Sequence, residues 1–143
     1  MSSKLILLVE DNPDDVDLTL RAFKRNNIVA DVIVLEDGQK AIDYVEALGS
    51  NTKVPDVIFL DLKLPKKNGL DVLNYLRNEK KTKIPVVILT SSVEESDLIN
   101  AYSLGANSYI RKPVDFLQFI DNIQTISRYW LTLNQTYPYL LNN

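Results

Sequence analysis

The residues in this chain best equipped for chemistry stand directly after short apolar runs. Glu10-Asp11 follow Leu5-Ile-Leu-Leu-Val9, and Asp61 follows Val57-Ile-Phe-Leu60. Thr90-Ser91 follow Pro85-Val-Val-Ile-Leu89, and Lys112-Pro113 follow Asn107-Ser-Tyr-Ile-Arg111. Taken singly, each has a plain structural meaning. Asp61 could open a loop or cap a helix, Glu10-Asp11 could precede a cap, Thr90 and Ser91 could be turn residues, and Lys112 could be a surface lysine. Taken together they are complementary. Three carboxylates on one edge repel one another unless a cation neutralises them. Hard oxygen donors, few in number and with room for water, suit Mg²⁺. A lysine and a hydroxyl opposite the acids suit an anion, because Lys is a point-charge partner for phosphate and Thr can donate to a phosphoryl oxygen. A carboxylate held between them can attack phosphorus and form an aspartyl-phosphate. Such a transfer depends mostly on alignment and charge neutralisation.

For these groups to meet, the apolar runs must be neighbouring strands. An uninterrupted run of this length suits a strand buried on both faces of a parallel sheet. Leu5 to Val9, Asp31 to Leu35, Val57 to Leu60, Pro85 to Leu89 and Asn107 to Arg111 read as five strands. Helical patterns lie between them. Asn12-Pro13-Asp14-Asp15 combines a cap, an early Pro and acids at the positive end of the helix dipole. Val16, Leu20 and Phe23 form the apolar stripe of that helix. After Asp37-Gly38, Ala41, Ile42, Val45 and Leu48 share a face, with Gly49 as the stop. Leu73 and Leu76 point a third helix inward after Gly69, and Glu94 to Leu104 form a fourth. Asn78 to Lys83 is a charge run that reads as a solvated loop. The last helix starts near Asp115, with Gln118 placed for a capping box. Its period runs through Phe116, Phe119 or Ile120, Ile123, Ile126 and Trp130, and Tyr129 to Leu133 extend it.

This order predicts an α/β fold, (βα)5: a doubly wound, five-stranded parallel sheet with strand order 2-1-3-4-5. That order puts the ends of the first and third strands side by side at the switch point, where ligands of such sheets bind. Residues 1–133 are expected to form one domain and residues 134–143 a C-terminal tail.

Composition narrows the function further. The chain has 143 residues, no Cys and no His, which excludes thiol catalysis, Ser-His-Asp catalysis, and Cys- or His-ligated zinc. It also cannot carry its own phosphohistidine. A net charge of −3 argues against a nucleic-acid surface. No apolar run approaches the length of a membrane span, and the five apolar residues near the start are too few for a signal peptide. The cytoplasm is the expected location.

With these motifs in place, residues 4 to about 130 resemble the response-regulator receiver domain, the CheY-like (flavodoxin-like) fold of two-component signalling. The resemblance implies that Asp61 is the phosphoacceptor. It implies that Mg²⁺ is ligated by Asp11, Asp61 and the backbone carbonyl of Lys63, with Glu10 acting through water. It implies that Thr90, with Ser91 beside it, and Lys112 bind the phosphoryl group, that Tyr109 is the aromatic switch, and that the bond before Pro113 is cis. It departs from the commoner pattern in having Glu at position 10. Lys63, two residues after the acceptor, could alter how water reaches a phosphoryl group. As a single-domain regulator, the protein would accept a phosphoryl group from a histidine kinase and act by changing partner binding or dimerisation. The stretch from Tyr102 to Val114, with Tyr129-Trp-Leu-Thr-Leu133, is similar to the small regulators paired with phytochrome-type kinases. That likeness implies a homodimer through the fourth helix, fifth strand and fifth helix together with the C-terminal extension.

Two other functions share parts of this chemistry. A flavodoxin-like FMN carrier would need a first loop that cradles phosphate, but Glu10-Asp-Asn-Pro-Asp-Asp15 would repel it. A phosphatase with an Asp nucleophile typically has a second Asp two residues later as general acid, where this chain has Lys63.

Overall fold

The computed structural model describes residues 4–141. Five strands alternate with five helices: β1 (Lys4–Val9), α1 (Pro13–Arg25), β2 (Ala30–Leu35), α2 (Gly38–Glu46), β3 (Val57–Leu60), α3 (Gly69–Asn74), β4 (Val86–Thr90), α4 (Glu95–Ser103), β5 (Ser108–Arg111) and α5 (Phe116–Arg128). All strand pairs are parallel, in the order β2-β1-β3-β4-β5. Two helices continue into π-helical turns, α3 over Tyr75–Glu79 and α5 over Tyr129–Leu133.

The period of two along each strand builds two cores. Ile6, Leu8, Val57, Phe59, Val87 and Leu89 pack with Ala22 and Phe23 of α1 and with Phe119 and Ile123 of α5. The alternate residues Leu7, Val9, Ile58, Leu60, Val86 and Ile88 pack with Ala41 and Val45 of α2, Leu73 of α3 and Ala101 of α4. The central strands are closed on both faces, which is why their sequences are continuously apolar. Each such side chain contributes about 1.5–3 kcal/mol by leaving water.

Four of the helices, α1, α2, α3 and α5, start at a side-chain cap. Asn12 Oδ1 accepts from Asp14 N at 2.9 Å and Asp15 N at 3.2 Å. Asp37 caps α2 through Lys40 N, Asn68 and Asp71 form a reciprocal box on α3, and Asp115 takes Gln118 N. The Gln118 side chain reaches forward to Asn122 instead of closing a box.

Two sequence expectations need correction. Leu20 and Phe116 are exposed rather than core. In α1 the buried residues are Thr19, Ala22 and Phe23, and Ala22 and Phe23 are the ones packed into the core shared with α5. The 78–83 run is not a solvated loop throughout, since the helix continues through Glu79 and Thr82 is buried. Within the expected tail, the described residues 134–141 return to the domain at Leu140 and Leu141. Lys83 N donates to Leu140 O at 2.6 Å, and Leu140 and Leu141 pack against the α2–α4 core. No helix among the described residues is long and apolar enough to cross a membrane.

Candidate functional site

The carboxyl ends of β1, β3, β4 and β5 form one edge of the sheet. The Cα register pairs Val9 with Leu60, so the next residues, Glu10 and Asp61, emerge side by side. Both continue the strand parity that faces α1 and α5. Asp61 N donates to Val9 O at 3.1 Å, and Glu10 N to Leu35 O at 3.0 Å, fixing both backbones at the switch point. Glu10 and Asp61 are buried, and Asp11 is exposed beside them. Each of the three can present a carboxylate oxygen within 4.8 Å of the others.

Lys112 enters from the far side. Its backbone N–H donates to Thr90 O at 2.8 Å, which ties the loop after β5 to the end of β4. Its ammonium makes a very short contact with Glu10, lies 2.9 Å from Asp15 Oδ2 and 3.3 Å from Asp61 Oδ2. The Lys112–Pro113 peptide is trans, with no cis bond among the described residues. The expected cis bond is therefore absent. Trans is the lower-energy form even before proline, and here it still delivers the ammonium to the acids.

Burial decides the electrostatics. Loss of solvent pushes the Glu10 carboxyl up to about 7, the hydrogen bond from Lys112 opposes that rise, and the neighbouring Asp61 charge adds to it. For Lys112 burial works against the charged form, but Glu10, Asp61 and Asp15 outweigh it and hold the ammonium above the ordinary lysine range. Lys112 therefore stays a cation across the physiological range.

The loop after β3 is seated by backbone contact. Gly69 N donates to Leu62 O at 2.9 Å. A Cβ at Gly69 would stand 2.2 Å from the carbonyl oxygen of Asp61, so only glycine permits this approach. On the neighbouring side Gly38 N donates to Pro65 O, and a Cβ there would meet Lys67 O at 1.7 Å. Lys63 N points at Asp61 Oδ1 at 3.3 Å, and Lys63 Nζ reaches Asp97 Oδ2 of α4 at 3.6 Å.

The hydroxyl groups divide. Thr90 is fully buried, and its Oγ1 accepts from Ser92 N at 3.3 Å. Ser91 is exposed, whereas Ser92 beside it is buried and donates to Asp97 Oδ2 at 2.5 Å. Tyr109 stacks obliquely on Tyr102, with ring centroids 6.4 Å apart. Its hydroxyl is enclosed and burial raises its proton affinity, while Ser92 lies close enough to lower it without forming a hydrogen bond of good geometry. Asp15, Ser92 and Asp97 also make contacts at this edge, and the sequence did not single them out as candidates. Asp15 could have been found, since the first turn of α1 must rise beside the end of β1.

The donor set fits a divalent cation: three carboxylates, one exposed to solvent, with nothing softer than oxygen. Comparison with known proteins agrees with this geometry. The response regulator receiver domain family matches residues 6–124. The probable methanogenesis regulatory protein FilR2 of Methanothrix harundinacea is 40% identical over 92% of this chain and 86% of its own length. Response regulator Rcp1 of Synechocystis is 38% identical over 90% of this chain and 89% of its own. A structure of the Mn²⁺-bound form of Rcp1 superposes with a TM-score of 0.85 over 94% of this chain and 99% of that one, at 36% identity. The phosphorylated cyanobacterial phytochrome response regulator RcpA superposes with a TM-score of 0.86 over 94% of this chain and 98% of that one, at 35% identity. With acids, hydroxyl and lysine delivered to the edge of a 2-1-3-4-5 sheet and a family match spanning most of its length, this chain belongs to the response regulator receiver domains of two-component signalling.

Proposed function

We propose that Asp61 is the phosphoacceptor and that the protein takes a phosphoryl group from the phosphohistidine of a histidine kinase in a Mg²⁺-dependent reaction. The observation that carries this reading is the Lys112 ammonium held against Glu10, Asp15 and Asp61 at the sheet edge. A lysine so placed beside a buried carboxylate can neutralise a phosphoryl group arriving on that carboxylate.

Asp11, Asp61 and the Lys63 carbonyl would ligate the ion, with Glu10 acting through water. When bound, Mg²⁺ would supply positive charge that offsets both the acids and the phosphoryl oxygens. The chain's own groups do the rest. Asp61 offers a carboxylate oxygen to phosphorus as the phosphorus–nitrogen bond breaks. The bonding pair stays on the imidazole nitrogen, which takes a proton from solvent. Lys112 and the Thr90 hydroxyl receive the phosphoryl oxygens. As Thr90 moves toward them it leaves space at the α4 side into which Tyr109 can turn. The protein would thus catalyse only its own phosphorylation and dephosphorylation, in the cytoplasm.

The likeness to RcpA supports a phytochrome-type kinase as the donor. Exposed Ile99, Tyr102, Val114, Phe116, Leu117, Tyr129 and Leu133 support a homodimer through α4, β5, α5 and the C-terminal extension.

The test is intact mass after incubation with Mg²⁺ and phosphoramidate, with native mass on the same sample. One phosphoryl adduct is expected, absent in Asp61→Asn and with EDTA, and accompanied by a dimer. A wild type that binds Mg²⁺ and takes no adduct sinks the phosphoacceptor reading in favour of signalling through fixed contacts. A monomer in both states sinks the dimer.

A further inference from the structure

A small polar network lies on the α4 flank of the acceptor, outside the phosphoryl-transfer chemistry described above. Asp97 sits in the first turn of α4, where the helix dipole favours an acid. One oxygen of its carboxylate, Oδ2, accepts from the Ser92 hydroxyl at 2.5 Å and faces Lys63 Nζ at 3.6 Å. Ser92 gives its backbone N–H to Thr90 Oγ1, and its hydroxyl accepts from Glu94 N at 3.3 Å. The Lys63 backbone N–H meets Asp61 Oδ1. A single carboxylate therefore joins the residue two after the acceptor to the residue two after the buried threonine.

Lys63 has the reach for another position. Its flexible four-carbon stem begins beside Asp61, and its side chain is 66% exposed. Next to the acceptor, Asp11, Leu62, Lys63, Pro65, Asn68 and Asp97 line a groove of about 410 Å³. This groove, bordered by Asp11 and by the two residues that follow Asp61, offers water a route from solvent toward a phosphoryl group on Asp61. An ammonium released from Asp97 would be drawn to the phosphoryl oxygens and would stand in that path.

We propose that Asp97 is a positioning residue that keeps the Lys63 ammonium off the phosphoryl group and so shortens the lifetime of the aspartyl-phosphate. This rests on Asp61 being the phosphoacceptor. In the affected step the oxygen of water bonds to phosphorus and the bond from phosphorus to the Asp61 oxygen breaks. The carboxylate is restored and phosphate leaves as H₂PO₄⁻, carrying both protons of the water. Because the pair with Lys63 is partly solvated, its influence is modest, and the lifetime changes by roughly two- to fivefold.

Asp97→Asn isolates the effect, since its amide oxygen still accepts from Ser92 while the charge that holds Lys63 is gone. Wild type, Asp97→Asn, Asp97→Glu, Lys63→Ala and the Asp97→Asn/Lys63→Ala double variant are loaded with phosphoramidate and Mg²⁺. The donor is then removed and intact mass is followed with time. Asp97→Asn should lose its adduct roughly two- to fivefold more slowly than wild type. Asp97→Glu should stay near wild type, and Asp97→Asn should change nothing when Lys63 is already absent. An unchanged or faster decay in Asp97→Asn overturns the proposal, as does an effect that persists without Lys63. A wild type that takes no phosphoryl group overturns the phosphoacceptor reading itself and this proposal with it. Equal decay in all loaded variants overturns this one alone.

Discussion

On the α1 flank of Asp61 one ammonium is enclosed by three carboxylates. On the α4 flank one carboxylate is shared by a hydroxyl and a largely exposed ammonium. The Lys112 side chain is 10% exposed and that of Lys63 66%, so the same kinds of charge act with different force. Buried charges interact through a poorly screening medium and cannot be separated cheaply, because each would be left unpaired and out of water. The exposed pair can part, and solvent takes up both members. On the proposed chemistry the α1 flank would therefore govern whether a phosphoryl group can be received, and the α4 flank would adjust what happens afterwards.

Removing the cation of the α1 flank should have the largest effect. In Lys112→Met, Glu10, Asp15 and Asp61 face one another without compensation. Adduct formation with phosphoramidate should fall by on the order of a hundredfold, the usual scale for losing a preorganised charge at a transition state. The metal-free variant should also lose about 3 kcal/mol of stability at pH 8. The sign of the pH dependence follows from Glu10. Without the ammonium its folded-state pKa rises still further above the unfolded value, so destabilisation grows as pH climbs from the unfolded pKa through the folded one. Urea melts should show a small deficit at pH 5 and the full deficit at pH 8. An equal deficit at both would mean that the acids do not repel as their distances imply.

Wild type offers a milder test of the same flank. Burial places the Glu10 carboxyl near 7, so protons compete with a divalent cation at a far higher pH than at an ordinary carboxylate. Affinity for Mn²⁺, followed by titration calorimetry, should fall as pH drops below 7, by up to about tenfold per unit. In Glu10→Gln that slope should flatten. A wild-type affinity that stays level between pH 8 and pH 6 would show that Glu10 remains ionised and that the α1 flank is more solvated than its burial indicates.

The two flanks were unequally legible in the sequence. Strand order and the meeting of Glu10, Asp61, Thr90 and Lys112 followed from apolar runs that end in polar residues, because a parallel sheet leaves one place for those ends to go. Asp97 and Ser92 carried no such signal. Asp97 lies inside a helix, where an acid in the first turn is already accounted for by the dipole, and Ser92 against Ser91 is a choice of rotation around one short turn. Leu20 and Phe116 misled for a related reason. Periodicity gives the angle of a side chain on its helix but not the width of the crevice that helix fills. The trans bond before Pro113 depends on a preference of only about 0.5–1 kcal/mol, which sequence patterns do not resolve. The return of Leu140 and Leu141 to the core was hidden because a tail with no helical or strand period reveals nothing of where it docks.

The smallest effect separates the flanks most sharply. On the α1 flank Lys112 is paired with Glu10, Asp15 and Asp61, whereas the Tyr109 hydroxyl on the α4 flank is buried without a hydrogen bond of good geometry. A buried hydroxyl without a partner costs free energy, and deleting it removes that cost while leaving the ring in contact with Tyr102. Tyr109→Phe should therefore be neutral or stabilising by up to about 1 kcal/mol in urea melts, and should take up a phosphoryl group at the wild-type rate. The contrast with Lys112→Met is the point of the measurement, since both variants delete a polar group near the same strand end. A loss beyond about 1.5 kcal/mol in Tyr109→Phe would mean that the hydroxyl is held by a partner. The α4 flank would then be as tightly bound as the α1 flank, and Tyr109 could not turn as Thr90 moves.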